Sequence, residues 1–326
     1  MSHPRRIVAG MSSTTLNPAQ QRVVDDLLAI GTPRPRFAEG LDLALLAVLE
    51  DGLHEVADRL DPLELHVNKS ALGHVLSCEG HHAAESQIPF AWTVVTTRGV
   101  IAHRAIELAV FAPPGTPPLQ LVDDVIERIA EDGDDRSPRD FLRSATAVDI
   151  AELRSSASQM VTAFEACFPP LDKAWRPRLE APCRVDLCAG RIALRAKVDL
   201  ALGRAVGGES RVLIVDVKTG RPWPGHLDDL RYYALCETIR SGVPPFRVAT
   251  YYLESGRWNA EDVGVDLLEA AARRVVDGVR RLAELQLGER EPRLTPGPTC
   301  GWCRNRTTCA GAREWDEQRE AAGISA

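Results

Sequence analysis

Apolar residues recur along this chain at two spacings, and the change from one to the other maps its elements. From Leu41 to Leu60, through most of 100–168, at 226–241 and at about 264–287 they return every three or four positions, as on a helix face. In the last segment Leu267, Leu268, Ala271, Val275, Val279 and Leu282 form one stripe. Between these lie shorter strand-like runs at 176–188, 190–203, 211–218 and 246–253. In the second run Ile192, Leu194, Ala196, Val198 and Leu200 are apolar at every second position, so Arg195, Lys197 and Asp199 share the opposite face. Pro113-Pro114-Gly115 and Asp132-Gly133-Asp134-Asp135 break the long helical stretch. Residues 1–15 are polar and read as a disordered tail. Asn17 before Pro18 reads as a helix cap, opening a helical N-terminal extension over 16–64. Residues 65–326 read as one α/β domain.

Two of the strand runs end in acids. Asp199 closes Arg195-Ala196-Lys197-Val198-Asp199, and Asp216 lies in Val212-Leu213-Ile214-Val215-Asp216-Val217-Lys218-Thr219-Gly220. Asp216 and Lys218, two apart, point the same way, and Asp199 can look across a hairpin at them. Two carboxylates and a lysine on one sheet face make a hard-cation site with a charge for a phosphate or a water. The chain holds only 4 lysines among 39 basic residues, and Lys197 and Lys218 both fall here. Taken alone, an Asp-x-Lys at a strand end is commonly a solvated turn.

Together these residues resemble the PD-(D/E)XK nuclease superfamily, in particular its RecB-like branch. Asp216-Val217-Lys218-Thr219-Gly220 is similar to that branch's Asp-Tyr-Lys-Thr-Gly signature, with Asp199 as the preceding acid. Gly99 to Glu107, which contains His103, is similar to the helical first motif, in which a histidine joins the metal site. Asp229-Leu230-Arg231-Tyr232-Tyr233 takes the place of the Gln-Leu-x-x-Tyr helix, with aspartate for glutamine. The resemblance covers roughly residues 65 to 315 and implies a restriction-endonuclease-like core, a mixed central sheet flanked by helices. It implies that His103, Asp199, Asp216 and the backbone carbonyl of Val217 hold one or two Mg²⁺ or Mn²⁺ ions. Lys218 would position the attacking water, and Tyr233 and Arg231 would contact DNA or brace Lys218. Glu107 reads equally as a helper of His103 and as an ordinary surface acid.

The eight cysteines add a second constellation. No apolar stretch follows Arg5 and Arg6, so no secretory leader is expected and a reducing, cytoplasmic setting is. There Cys167, Cys183, Cys188 and Cys236 read as buried small apolar side chains. Cys300-x2-Cys303-x5-Cys309 follows the loop Thr295-Pro296-Gly297-Pro298-Thr299, where the backbone can wrap a metal. Cys78, within Lys69-Ser70-Ala71-Leu72 to Gly80, resembles the cysteine that precedes the first motif of iron–sulfur RecB-like nucleases, including AddB and the CRISPR-associated members. That resemblance implies a [4Fe–4S] cluster on Cys78, Cys300, Cys303 and Cys309, a clip joining the two ends of the nuclease domain. Thiolates alone leave zinc as an alternative, and His74, His81 and His82 as alternative ligands.

Charge and length bound the function. A net charge of −7 argues against a protein that coats nucleic acid, though a local groove is enough for a nuclease. Arg184, Arg191, Arg195 and Lys197 are candidates for that groove, or else a solvated strand face. No run of eighteen apolar residues is present, so no membrane span is expected. Leu16 to Gln21 resembles the start of helicase motor domains, yet no Gly-x4-Gly-Lys-Ser/Thr loop follows, so a helicase or a repair or defence system enters only as a partner. The expected function is a divalent-metal-dependent DNA exonuclease acting on single strands or duplex ends. The alternatives are a catalytically weak DNA-binding or assembly module, or a zinc-stapled variant.

Overall fold

The computed structural model describes residues 16–87, 90–113, 115–134 and 137–323. The tail 1–15, with Pro114 and Asp135 of the two sequence breaks, lies outside the described residues. Asn17 caps α1 (Pro18–Arg22) by accepting from the Ala19 and Gln20 amides, and the chain continues as a wider helical turn through Leu28. There follow α2 (Leu41–Leu60), β1 (Leu65–Val67), α3 (Lys69–Ser77), α4 (Glu79–Gln87), α5 (Val94–Ala109), α6 (Pro118–Asp132), α7 (Arg139–Ser144) and α8 (Ala147–Cys167). The second half runs β2 (Arg178–Leu187), β3 (Ile192–Leu202), β4 (Leu213–Lys218), α9 (Gly225–Ser241), β5 (Arg247–Tyr252), β6 (Arg257–Asp262), α10 (Val265–Gln286) and α11 (Ala310–Ala321). Five of these elements escaped the apolar pattern. β1 is three residues long, β6 is mostly exposed, and α3, α4 and α11 carry few buried side chains.

The strands form one mixed sheet in the order β1-β3-β4-β5-β6, with β2 paired along β3. β3 is long enough to serve several partners. One edge takes β2 over its whole length, while the other takes β1 in parallel at Ile192–Leu194 and β4 antiparallel at Leu200–Leu202. Between those two pairings the edge is bridged by Tyr232, whose hydroxyl lies 3.0 and 3.1 Å from the Val67 and Arg195 carbonyls.

Helices cover both faces, giving two apolar layers. In one, Leu45, Leu49 and Leu53 of α2 and Leu268, Val275 and Val279 of α10 pack with α3 and α9 on Leu194, Val198 and Ile214. In the other, Val23 and Leu27 join α5, α6 and α8 on Leu200, Leu213, Val215 and Tyr251. No helix among the described residues is long and apolar enough to cross a membrane.

The β3–β4 connection fixes the register of the site. Gly203 has φ +96°, and a β-carbon there would lie 2.1 Å from the Arg211 carbonyl oxygen, so only glycine fits. Far from it, Glu79 ties the two ends of the domain. Its carboxylate, 2% exposed, accepts from both terminal nitrogens of Arg290 and from the Arg293 backbone amide at 2.8 Å. We expect Gly203→Ala to lower the free energy of unfolding by about 2 kcal/mol or more, read by chemical denaturation. Arg290→Met, which strands a buried carboxylate, should cost about 3 kcal/mol in the same assay, and an unchanged midpoint would show that the Glu79 pair is not part of the fold's stability.

Candidate active site and metal centre

The site forms where β3 and β4 part company. Their ladder stops at Leu200–Val215. One residue further, the Asp199 carboxylate replaces the missing backbone partner and accepts the Val217 amide hydrogen at 2.8 Å. β4 meanwhile stays paired with β5 out to Lys218. The fork therefore opens with Asp199 on one prong and Asp216, Val217 and Lys218 on the other.

A second irregularity turns more side chains into the fork. Glu180 in β2 holds φ +48°, a left-handed conformation that costs a non-glycine residue about 1 kcal/mol or more. Regular alternation forbids neighbours from sharing a face. Yet Leu179 and Glu180, and across the hairpin Asp199 and Leu200, line the same small void with His103 and Val217. The expected stripe therefore breaks at its end: Ile192 to Val198 face the layer of α2 and α10, whereas Leu200 faces that of α5 and α8.

α5 delivers the imidazole. Thr93 caps the helix, and Ile101, Ala102, Ala105 and Ile106 bury one face, which leaves His103 at the rim. Its Nδ1 is 3.6 Å from both Glu180 and Asp199 carboxylate oxygens. Ligand atoms of His103, Glu180 and Asp199 all lie within 4.8 Å of one another. The void among them, about 10 Å³, is on the scale of one water-sized sphere. Burial pushes the Asp199 carboxyl up to about 6; His103 opposes that shift, while Asp216 and Glu180 add to it. Burial also works against the imidazolium, but Glu180 and Asp199 prevail and hold the His103 pKa above its ordinary value. Glu180 is itself held low, against burial, by His103 and Lys197. Clustered acids around one imidazole and a water-sized void fit a divalent cation with mixed oxygen and nitrogen ligands.

Asp216 sits beside this trio, 1% exposed, between two lysines. Lys218 Nζ is 2.7 Å from Oδ2, and Lys69 Nζ is 3.2 Å from Oδ1. Asp229 of α9 lies 3.5 Å from Lys69 and 3.7 Å from Lys218, so it steadies both ammonium groups. Burial would raise the Asp216 pKa, but Lys69 and Lys218 together hold it below the usual carboxylate range. Lys69 is the first residue of α3, placed there by the Asn68 cap, and its Nζ stands 4.9 Å over the Tyr233 ring.

The structure thus brings His103 and Asp199 together, sets Asp216 and Lys218 alongside, and places Tyr233 under Lys69. Glu180 and Lys69 were missed. Glu180 was legible in principle, because pairing the two strands around the Cys188–Arg191 turn sets it opposite Asp199. Lys69 reaches Asp216 across 147 residues, and no local pattern announces that contact. The candidate groove cations are largely engaged by acids: Arg184 with Glu64 and Asp186, Arg191 with Asp61, and Lys197 with Glu180. Arg195 approaches His66, and Arg231 makes a two-pronged pair with Glu261.

The four cysteines of the second constellation line one cavity of about 430 Å³. Cys78 sits between α3 and α4, and its sulfur lies 3.5 Å from the Thr295 amide, which donates to it. Cys300 lies in a 3₁₀ turn, and Cys309 caps α11. All eight cysteines are free thiols.

The family model for the PD-(D/E)XK nuclease superfamily matches residues 66–310. Among solved structures, one titled "Putative exonuclease" from Eubacterium rectale is 13% identical with a TM-score of 0.44, covering 76% of this chain and 87% of that one. Another, SSO0001, is 10% identical with a TM-score of 0.34, covering 83% and 97%. No curated protein matches the chain. The matched span runs from β1, through the fork that holds Asp199, Asp216 and Lys218, to the cysteine loop, and the chain belongs to the PD-(D/E)XK nuclease superfamily.

Proposed function

We propose that this protein is a divalent-metal-dependent DNA exonuclease whose four-cysteine cavity carries a structural [4Fe–4S] cluster. The observation that supports the first part is the convergence of His103, Glu180 and Asp199 on one small void, beside a buried Asp216 flanked by two lysines. His103, Glu180 and Asp199, with Asp216 and the Val217 carbonyl beside them, are the residues that would hold Mg²⁺ or Mn²⁺. When bound, such an ion polarises the scissile phosphate and makes hydroxide available near neutral pH. The chain's own groups supply positioning and charge. Lys218 and Lys69 carry fixed positive charge to the edge of the site, where it offsets the negative charge that gathers on phosphorus. Asp229 and the Tyr233 ring restrict where the Lys69 ammonium can go, which keeps that charge in place. Glu180 and Asp199 orient the imidazole of His103, and Asp199 also locks Val217 to β3.

The cavity's donor set and size support the second part. Four thiols face one space, and the Thr295 amide already donates to one sulfur, as partners of metal-bound thiolates do. A reducing, cytoplasmic setting suits eight free thiols. A helicase or a repair or defence complex remains the partner class that the family resemblance implies.

End-labelled linear, circular and single-stranded DNA incubated with Mg²⁺ or Mn²⁺ tests the activity. Cleavage should require the ion and a free end. Asp199→Asn, Asp216→Asn and Lys218→Met should each lose about 100-fold or more of the rate while remaining folded. Equal cleavage by all three variants would place the chemistry elsewhere. Anaerobically purified protein should contain iron and acid-labile sulfide in equal amounts, and Cys78→Ala, Cys300→Ala, Cys303→Ala and Cys309→Ala should each lose them. Zinc at one ion per chain without iron would replace the cluster by a zinc staple and leave the nuclease assignment intact.

A further inference from the structure

A groove of about 680 Å³ opens beside the active site, and Lys69, Asp229 and His226 form part of its wall. Trp223 and Trp302 border the same groove. Of six tryptophans, these two alone are strongly exposed, at 39% and 55%. They meet edge to face, with ring centroids 4.8 Å apart and planes at 83°, so ring surface stays open to solvent. Two adjoining exposed indoles form a contiguous aromatic patch rather than scattered apolar residues.

Both rings are held on restrained backbone. Trp223 lies between Pro222 and Pro224 in the loop that leaves Lys218, and Gly225 makes room for its indole: a β-carbon at 225 would lie 2.9 Å from Nε1. Trp302 sits between Cys300 and Cys303, just past the 3₁₀ turn. The loop after the catalytic lysine and the cysteine loop, 79 positions further on, thus join in one aromatic edge.

The groove offers little free positive charge. Its cations already have carboxylate partners: Lys69 has Asp216 and Asp229, Arg231 has Glu261, and Arg274 has Asp228 at 3.0 Å. A duplex, which presents phosphates, finds few unpaired cations here. An unpaired strand presents the flat faces of its bases, and every base can stack on an indole whatever its identity.

We propose that this groove is a single-strand subsite, in which unpaired bases next to the scissile phosphate stack on Trp223 and Trp302. The proposal rests on the nuclease reading for its substrate. It makes base faces rather than phosphate charge the main source of grip, and it selects single-stranded ends over blunt duplex.

Binding of a fluorescent single-stranded oligonucleotide and of a blunt hairpin duplex, measured on the full-length protein in Ca²⁺ at several salt concentrations, tests it. The wild type should prefer the single strand. Trp223→Ala and Trp302→Ala should each weaken single-strand binding by about 10-fold, within the 1–3 kcal/mol that base–aromatic stacking is worth. Trp302→Phe should keep most of the affinity, and duplex binding and the salt slope should stay near wild type. Trp223→Ala, remote in sequence from the cysteines, guards against damage to the metal loop, with thermal unfolding as the check on folding. Undiminished single-strand binding by both alanine variants, or an equal loss for duplex and single strand, would overturn the subsite. Loss of single-strand binding in a protein that cleaves no DNA would uphold the subsite and overturn the nuclease reading.

Discussion

The hydrogen bond from the Val217 amide to the Asp199 carboxylate is the contact on which the site depends. A strand that leaves its neighbour in mid-sheet exposes backbone groups that must find partners, because an unpaired buried amide costs about as much as a lost hydrogen bond. Here a side chain fills that role. The consequence is geometric: one bond fixes the opening angle of the fork and the distance between two acids. Its electrostatic cost is also plain. Asp199 is pushed up by burial and by its acidic neighbours, and that burden is answered from elements far apart in sequence, His103 on α5 and Lys69 on α3. Buried like charges thus explain why pieces so distant in the chain converge on one end of the sheet.

What could be read beforehand followed from local periodicity. Asp216 and Lys218 share a face because they are two apart on a strand, and that inference needs no tertiary knowledge. His103 was legible only through family order, since a helix histidine alone says little. Glu180 and Leu200 failed for one reason. The left-handed residue in β2 shifts the faces of the hairpin, and no apolar pattern encodes a single dihedral. The register that would have set Glu180 opposite Asp199 was within reach; its backbone was not. β6 was lost because an exposed edge strand, Arg257 to Asp262, carries no apolar alternation to detect.

The charge pattern shows a similar division. Four basic residues near the sheet face looked like a groove for phosphate, but in a chain of net charge −7 acids are never far away. Lys197 is engaged by Glu180, Arg184 by two acids and Arg191 by Asp61. Spacing along the sequence shows where a cation is, not whether another strand supplies its counter-charge. Ion pairs at this level of exposure add little stability. Their effect is to keep those cations from offering phosphate a free charge; Lys218 and Lys69 are paired as well, with Asp216 and Asp229, but they stand at the fork itself.

The two lysines are effective because they are confined, and that confinement reaches back to the ends of the domain. Lys69 begins the helix that ends at Cys78, and Cys78 and the following Glu79 meet the segment 290–309. Glu79 holds that segment through Arg290 and Arg293 whether or not the cysteines carry a metal. A ligand bound at the four thiols would then act on an end already docked, and lose less chain entropy in closing the long loop. The same α3 that carries Lys69 at its first residue is anchored at its last by this junction. Tightening the junction around Glu79 therefore restricts Lys69, and the contact between the two distant segments becomes part of what keeps that lysine opposite Asp216.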